Sequence, residues 1–436
     1  MSTKRNGHES KLTTVVEKQK GTFWHYMIIV SLCVMVFFSA GLTLSVGALF
    51  FTPISETLGV GLGQVAMWLT IALLTATVVL PFAGKLIATK DARFVISAAV
   101  ACIGLGNIII SFASIIWIIY VAAVFLGVGF SVIIYLSLPT MVNRWFKERA
   151  GFWLGICAAF TGIAGVIFNP VAGYLIEAIG WNTTYLVFGI AILVCVLPFT
   201  LLGLRNSPTD VNLLPFGEVL TRTDADNESP VTAPAVMGVS YDTARKSLAF
   251  FVMLLCTACI QFGIGIWQMV PSYASSLPLA ASVAGLAAII AACCMAGQAI
   301  GKVVLGAVID KSVFGGLILS ALCGGGGLLL FWLFDFSSIA LYAGGFIFGF
   351  FYASAVVLVA QMTLKMFGVR DYARIYSRIS MVSALLGALS ISIWGFIVQF
   401  GSFLVLWLGG LALVALIILL GFVAINAAKK LPQTSD

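Results

Sequence analysis

Long apolar runs dominate this chain, each near the roughly 20 residues a helix needs to cross the hydrocarbon core of a bilayer. They fall near 24–50, 64–83, 94–113, 115–141, 152–176 and 183–204, then near 248–274, 282–309, 313–334, 336–364, 379–400 and 403–427. Lipid offers the backbone no hydrogen-bond partner, so a spanning segment must satisfy its own amides. Runs of this length do so as helices. Composition closes the alternatives: 61% of the 436 residues are apolar and 9% are charged. A soluble domain needs about 25% charged residues to cover itself in water, and a disordered chain needs low hydrophobicity. The expected fold is an all-α membrane protein with 12 transmembrane helices.

The runs form two sets of six. The expected organisation is a tail at 1–23, a six-helix bundle at 24–204, a linker at 205–246, a second bundle at 247–427 and a tail at 428–436. Pro208, Pro215, Pro230 and Pro234, with Asp224, Asp226 and Glu228, mark the interval as a linker. Lys and Arg accumulate on the cytoplasmic side of membrane proteins. Of the 23 basic residues, all but Lys302 fall in the tails, the linker or loops on one side, whereas Glu56, Glu177 and Asp335 occupy the opposite loops. Both termini are therefore expected in the cytoplasm, with the protein multi-pass in an inner (plasma) membrane. The polar N-terminal stretch is too long and mixed for a cleavable signal.

Little here supports other functions. The nine cysteines lie in apolar runs, where Cys behaves as a small hydrophobe. Cys256 and Cys259 have metal-ligand spacing but no second pair, so no metal is expected. With two histidines and no hydrolase or phosphate-loop motif, no enzyme activity, cofactor or nucleic-acid partner is expected. The expected partners are the bilayer and a small solute, with the chain a monomer.

The halves repeat at an offset of 222: Gly41 with Gly263, Gly63 with Gly285, Gly84 with Gly306, Tyr120 with Tyr342, Gly127 with Gly349 and Gly173 with Gly395. A constant offset across five helices implies two parallel six-helix pseudo-repeats, an architecture of transporters.

Gly306-Ala307-Val308-Ile309-Asp310-Lys311, after the eighth run, resembles the G-x-x-x-D-[RK] loop signature of the major facilitator superfamily. The resemblance implies that Asp310 and Lys311 stabilise one of two rocking states. The matching first-half loop keeps Gly84 but has Ala88 and Thr89 for the acid and base. Asn143-Arg144-Trp145-Phe146-Lys147-Glu148-Arg149-Ala150-Gly151 resembles the loop after helix four in the oxalate/formate antiporter and monocarboxylate porter branch. The stretches beginning at Pro53 and Arg205 resemble that branch too. This likeness implies alternating-access transport of a small organic anion, a monocarboxylate, by exchange or linked to a co- or counter-transported ion. It makes Tyr135 a cavity tyrosine, and Lys302 stands where relatives place a substrate-binding Arg. Helix one, with Gly41-Leu42-Thr43-Leu44-Ser45, lacks the polar and aromatic side chains of oxalate transporters and favours a more apolar anion.

A charge at mid-bilayer costs about 2.5–3.5 kcal/mol and normally faces a wet cavity or a partner. Lys302 could therefore hold the substrate anion, or it could snorkel toward Asp310 and the interface. Gln298, one turn earlier, would share its face, and Gln261 and Gln268 share a face of helix seven. Tyr352, Tyr376 and Trp267 are candidate cavity aromatics. Arg378 is either a second cavity cation or a positive-inside anchor. Two rival functions remain open: export of hydrophobic compounds, and a transport-dead sensor signalling through the linker.

Overall fold

The computed structural model describes residues 22–220 and 238–431 except 369, together with the backbone of Glu17 and Lys18. Most of the expected tails and the middle of the linker lie outside the described residues. The spans are α1 Phe23–Leu58, α2 Leu62–Thr89, α3 Ala92–Ser111 and α4 Ile116–Trp145. One continuous segment, Ala150–Gly203, follows. It contains Gly180 at φ 79° and ψ 161°, a conformation open to glycine, and is two helices, α5 (150–179) and α6 (181–203). The second set is α7 Leu248–Ser276, α8 Leu286–Lys311, α9 Val313–Leu333, α10 Ser338–Phe367, α11 Tyr372–Phe400 and α12 Phe403–Ala428. Short polar caps fix several starts; Ser312 Oγ, for example, accepts the Gly315 N–H at 3.0 Å.

The duplication is visible in the packing. A Cβ on Gly127 of α4 would collide with the Ala72 carbonyl of α2, and one on Gly349 of α10 with the Cys294 carbonyl of α8. Residues 72 and 294 are again 222 apart. Each glycine lets two helices approach to backbone contact, the device lipid-embedded helices use where burial of apolar surface supplies no drive.

The helix breaks repeat as well. α1 is interrupted by a π turn at Gly41–Ser45 and a 3-10 turn at Gly47–Phe50. Its counterpart α7 carries a 3-10 turn at Gly265–Met269. α4 has a π turn at Ile133–Ser137, and α10 is broken between Ala353 and Val357. Such breaks loosen the i to i−4 ladder and free backbone polar groups toward whatever the helix lines.

The two bundles meet along α2–α11 and α5–α8. Gly173 of α5 faces Ala288 of α8, and Gly395 of α11 faces Gly63 and Ala66 of α2. These pairs exchange under the repeat. Polar contacts join them: Gln399 Oε1 accepts the Gly63 N–H at 3.1 Å, Thr70 Oγ1 donates to the Ala388 carbonyl at 2.7 Å, and Ser392 Oγ donates to Thr70 Oγ1 at 2.8 Å. All of these lie in the half of the molecule toward Glu56 and Glu177, the acidic face. Along the same seams toward the basic face, Gly84, three heptads after Gly63 on α2, and Gly155, one heptad before Gly162 on α5, have open space where a side chain would stand. The bundles are closed on the acidic side and parted on the basic side.

Candidate functional site

Between the bundles lies a cavity of about 520 Å³, within the range of small-ligand sites. Its first-bundle wall is Leu44 on α1, Leu69 and Leu73 on α2, and Ile134 and Tyr135 on α4. The second-bundle wall includes Gln261, Gly265 and Gln268 on α7, and Tyr352, Ala355 and Val356 on α10. α11 contributes Tyr376, Ser380, Ser383, Ala384, Gly387, Ala388 and Ile391, a stripe at helical spacing. Leu44, Ile134, Tyr135, Gly265, Gln268, Ala355 and Val356 all belong to the helix breaks. The cavity therefore sits where four helices loosen, and loosened backbone accompanies the polar side chains.

The structure brings together Tyr135, Gln261, Gln268, Tyr352 and Tyr376 from the sequence reading. Gln268 is buried, and neither glutamine side chain has a hydrogen bond among the described residues. Trp267 is not part of the wall; it is buried and stacks on Phe348 with centroids 6.1 Å apart. Asn107 of α3 donates to Thr43 Oγ1 of α1 at 2.9 Å and ties the two helices together.

Lys302 lies outside the enclosed wall. Met295 and Ala299 of α8 pack against Gly165 and Gly162 of α5. Lys302, seven and three residues further on, continues that side of the helix toward the basic face. It is half-buried and makes no hydrogen bond or ion pair among the described residues. Asp310 is eight residues along the same helix, about 12 Å away. Gln298 also stays off the wall: its backbone forms the α8–α10 crossing, 2.6 Å from a Cβ built on Gly349. Arg378 stays off the wall as well. It is exposed, and it stands two residues from Tyr376, about 200° round α11 from the cavity stripe.

The loop motifs act within bundles. Arg144 Nη2 donates to the Ile87 carbonyl at the end of α2 at 3.1 Å, and its Nη1 to the Asn206 side-chain oxygen. Trp145 Nε1 donates to the Arg205 carbonyl at 3.2 Å. Arg149 is exposed, at φ 55°, just before α5. In the second bundle Lys365 Nζ donates to the carbonyls of Ile309 and Asp310 at 2.8 and 2.9 Å. Ile87 and Ile309 are 222 apart, so a base from α4 or α10 caps the end of α2 or α8 in each half. Gly306, Asp310 and Lys311 close α8, with both charged residues exposed. The reading of sequence missed His25: its Nε2 lies 3.0 Å from the Leu214 carbonyl, and its ring is enclosed by Trp145, Phe146 and Phe216. That cage holds the first stretch of the linker against the first bundle.

Two pseudo-repeated bundles of six spans around a midplane cavity define a transporter architecture. The family model described as Major Facilitator Superfamily matches residues 32–311, and the chain belongs to that superfamily. A curated relative, the uncharacterized MFS-type transporter YcxA of Bacillus subtilis (strain 168), is 19% identical over 160 residues, 36% of this chain. The match spans 39% of the length of that relative. Among solved structures, a bacterial homolog of the human lysosomal transporter Spinster, inward-facing and unoccupied, aligns with TM-score 0.66 at 13% identity, covering 94% of this chain and 98% of its own. The nucleoside transporter NupG aligns with TM-score 0.67 at 12% identity, covering 93% and 99%. At such identities these two establish the fold alone.

Proposed function

We propose that this protein is a secondary active transporter for a small amphipathic organic anion of the monocarboxylate class. In this reading the bundles at 24–204 and 247–427 rock about the central cavity, joined by the linker at 205–246. The basic face is the cytoplasmic one, as the distribution of Lys and Arg supports, and the protein works as a monomer in the plasma membrane. The state described above then opens inward.

One observation carries the anion: Lys302 is a half-buried cation on the inter-bundle side of α8 with no acidic partner among the described residues. A carboxylate leaving or entering the cavity supplies the missing counter-charge. The apolar first wall suits the body of the solute, and Gln261, Gln268 and the tyrosines suit its polar end. The branch resemblance of the Asn143–Gly151 loop points the same way. Exchange and proton-linked movement both remain compatible with this arrangement.

Uptake of radiolabelled monocarboxylates into proteoliposomes tests the reading. Lys302→Ala is expected to lower uptake by about ten- to hundredfold, the loss of a charge-assisted hydrogen bond of about 1.5–3 kcal/mol. Lys302→Arg is expected to keep a measurable part. Full carboxylate uptake by Lys302→Ala overturns the anion anchor. A second reading, export of a neutral hydrophobic compound, is favoured by one fact: among the described residues no Asp, Glu, Lys, Arg or His lines the cavity. It wins if a neutral dye is moved and carboxylates do not compete.

A further inference from the structure

We propose that the basic-face ends of α2, α3 and α6 form a binding site for the headgroup of an anionic phospholipid. The inference goes beyond the transport reading and takes from it only the assignment of the basic face to the inner leaflet. A cavity of about 390 Å³ lies there, lined by Lys90, Arg93, Arg205 and Asn206 together with Asp91 and Asp210. Both acids are already engaged. Asp91 Oδ1 accepts the Arg93 N–H at 2.9 Å and caps α3, while Asp210 Oδ2 accepts the Ser207 N–H at 2.9 Å. The cations are less well matched. Arg93 reaches Asp91 through one nitrogen at 3.3 Å, but its Nε is buried and has no acceptor. Lys90 has no partner among the described residues, and Arg205 is held by backbone carbonyls and the Trp24 ring rather than by an acid.

Three cations facing two committed carboxylates leave a net positive cavity with unused donors. A phosphodiester supplies the acceptor oxygens such a cavity lacks. Its place at the membrane edge supplies the rest of the lipid: Leu86, Phe94 and Leu202, on the same helix ends, are exposed for acyl chains. The second bundle keeps a smaller counterpart of about 200 Å³ with Lys365 and Lys429, but Lys365 is spent on carbonyls of α8. The first-bundle site is therefore the one with donors to offer. Basic recesses between helices on the cytoplasmic side are a physical setting in which anionic headgroups bind.

Native mass spectrometry of the full-length protein in detergent, titrated with phosphatidylglycerol or phosphatidylcholine, tests this without reference to orientation. The parent should retain phosphatidylglycerol selectively. Lys90→Gln and Arg93→Gln should each weaken it about fivefold, as one basic residue near an anionic surface does, with phosphatidylcholine unaffected. The Lys90 side chain makes no hydrogen bond or ion pair among the described residues, so its variant keeps the backbone cap of α2 and reads the site without disturbing the fold; Lys430→Gln, on the same face, should change nothing. Equal retention of the two lipids, or unchanged phosphatidylglycerol binding by the Lys90 and Arg93 variants, overturns the site. So does inorganic phosphate displacing the lipid at equal concentration, which would make the ligand a free anion.

Discussion

The two walls of the central cavity share two pairs of equivalent helices, α1 with α7 and α4 with α10, and present different chemistry. The first bundle offers Leu44, Leu69, Leu73 and Ile134 with a single hydroxyl, Tyr135; the second offers Gln261, Gln268, Tyr352, Tyr376, Ser380 and Ser383. What the halves share is backbone: the breaks in α1 and α7, those in α4 and α10, and the glycine approaches at Gly127 and Gly349. Backbone geometry sets how the bundles pack and rock, so it is held in common. Side chains at the cavity only have to meet a solute from two sides, so they are free to diverge. One wall then carries shape and the other carries hydrogen bonds.

The sharpest way to break the comparison is to strike what the halves share. Gly395→Val adds bulk where a single Cβ would already stand 2.9 Å from Gly63 Cα. Overpacking of about 1–3 kcal/mol falls on the state closed at the acidic face alone, a shift of roughly 5- to 150-fold in its population. Transport in proteoliposomes should collapse, and a cysteine placed in the cavity should become reactive from the acidic side. Gly173→Val should do the same from the other seam, because its Cβ would stand 2.6 Å from Ala288. Transport unchanged by either would mean that the seams are not moving contacts.

The next expected effect separates the walls. Gln268→Leu removes a buried amide on the cavity wall. The expected cost is about 0.5–1.5 kcal/mol, or roughly two- to tenfold in apparent KM, with protein yield and melting temperature held. A loss of stability with KM unchanged would instead make Gln268 a packing residue.

Much of the fold was legible because spans and repeats are written in hydropathy and glycine spacing. The twelve runs are twelve helices once Gly180 divides the longest segment, and pairs at the offset of 222 make matching contacts. The site was legible where a polar residue interrupts an apolar run, as at Gln261, Gln268, Tyr135 and Tyr352. It was hidden where the wall is built of small or apolar residues. Leu69, Leu73, Gly387 and Ala388 look like any lipid-facing residue, because one sequence carries no record of which side of a helix faces a cavity. Ser380 and Ser383 gave a weak signal, two hydroxyls three residues apart on one helix. The π turn at Ile133–Ser137 has a local cause just beyond it: Pro139 lacks the N–H that would bond the Tyr135 carbonyl four residues back, a signal easily passed over because the proline lies outside the break. Arg378 stayed open between cavity and interface because a resemblance fixes register only loosely, and one residue on a helix is about 100° of rotation.

The smallest expected effect tests the apolar wall by itself. Leu73→Ala trims the first-bundle side of the cavity and leaves every polar group of the second wall in place. A solute longer by one methylene could then fill the space vacated, and burying a CH₂ is worth about 0.8 kcal/mol, close to fourfold in relative uptake. The measurement is a competition series of straight-chain monocarboxylates of increasing length against the parent and the variant. A preference moved toward longer chains, with the contribution of Gln268 unchanged in the double variant, would establish that one half measures the body of the solute while the other holds its polar end. An unchanged length profile would make the leucines of α2 structural, and the division of labour between the walls would fall with it.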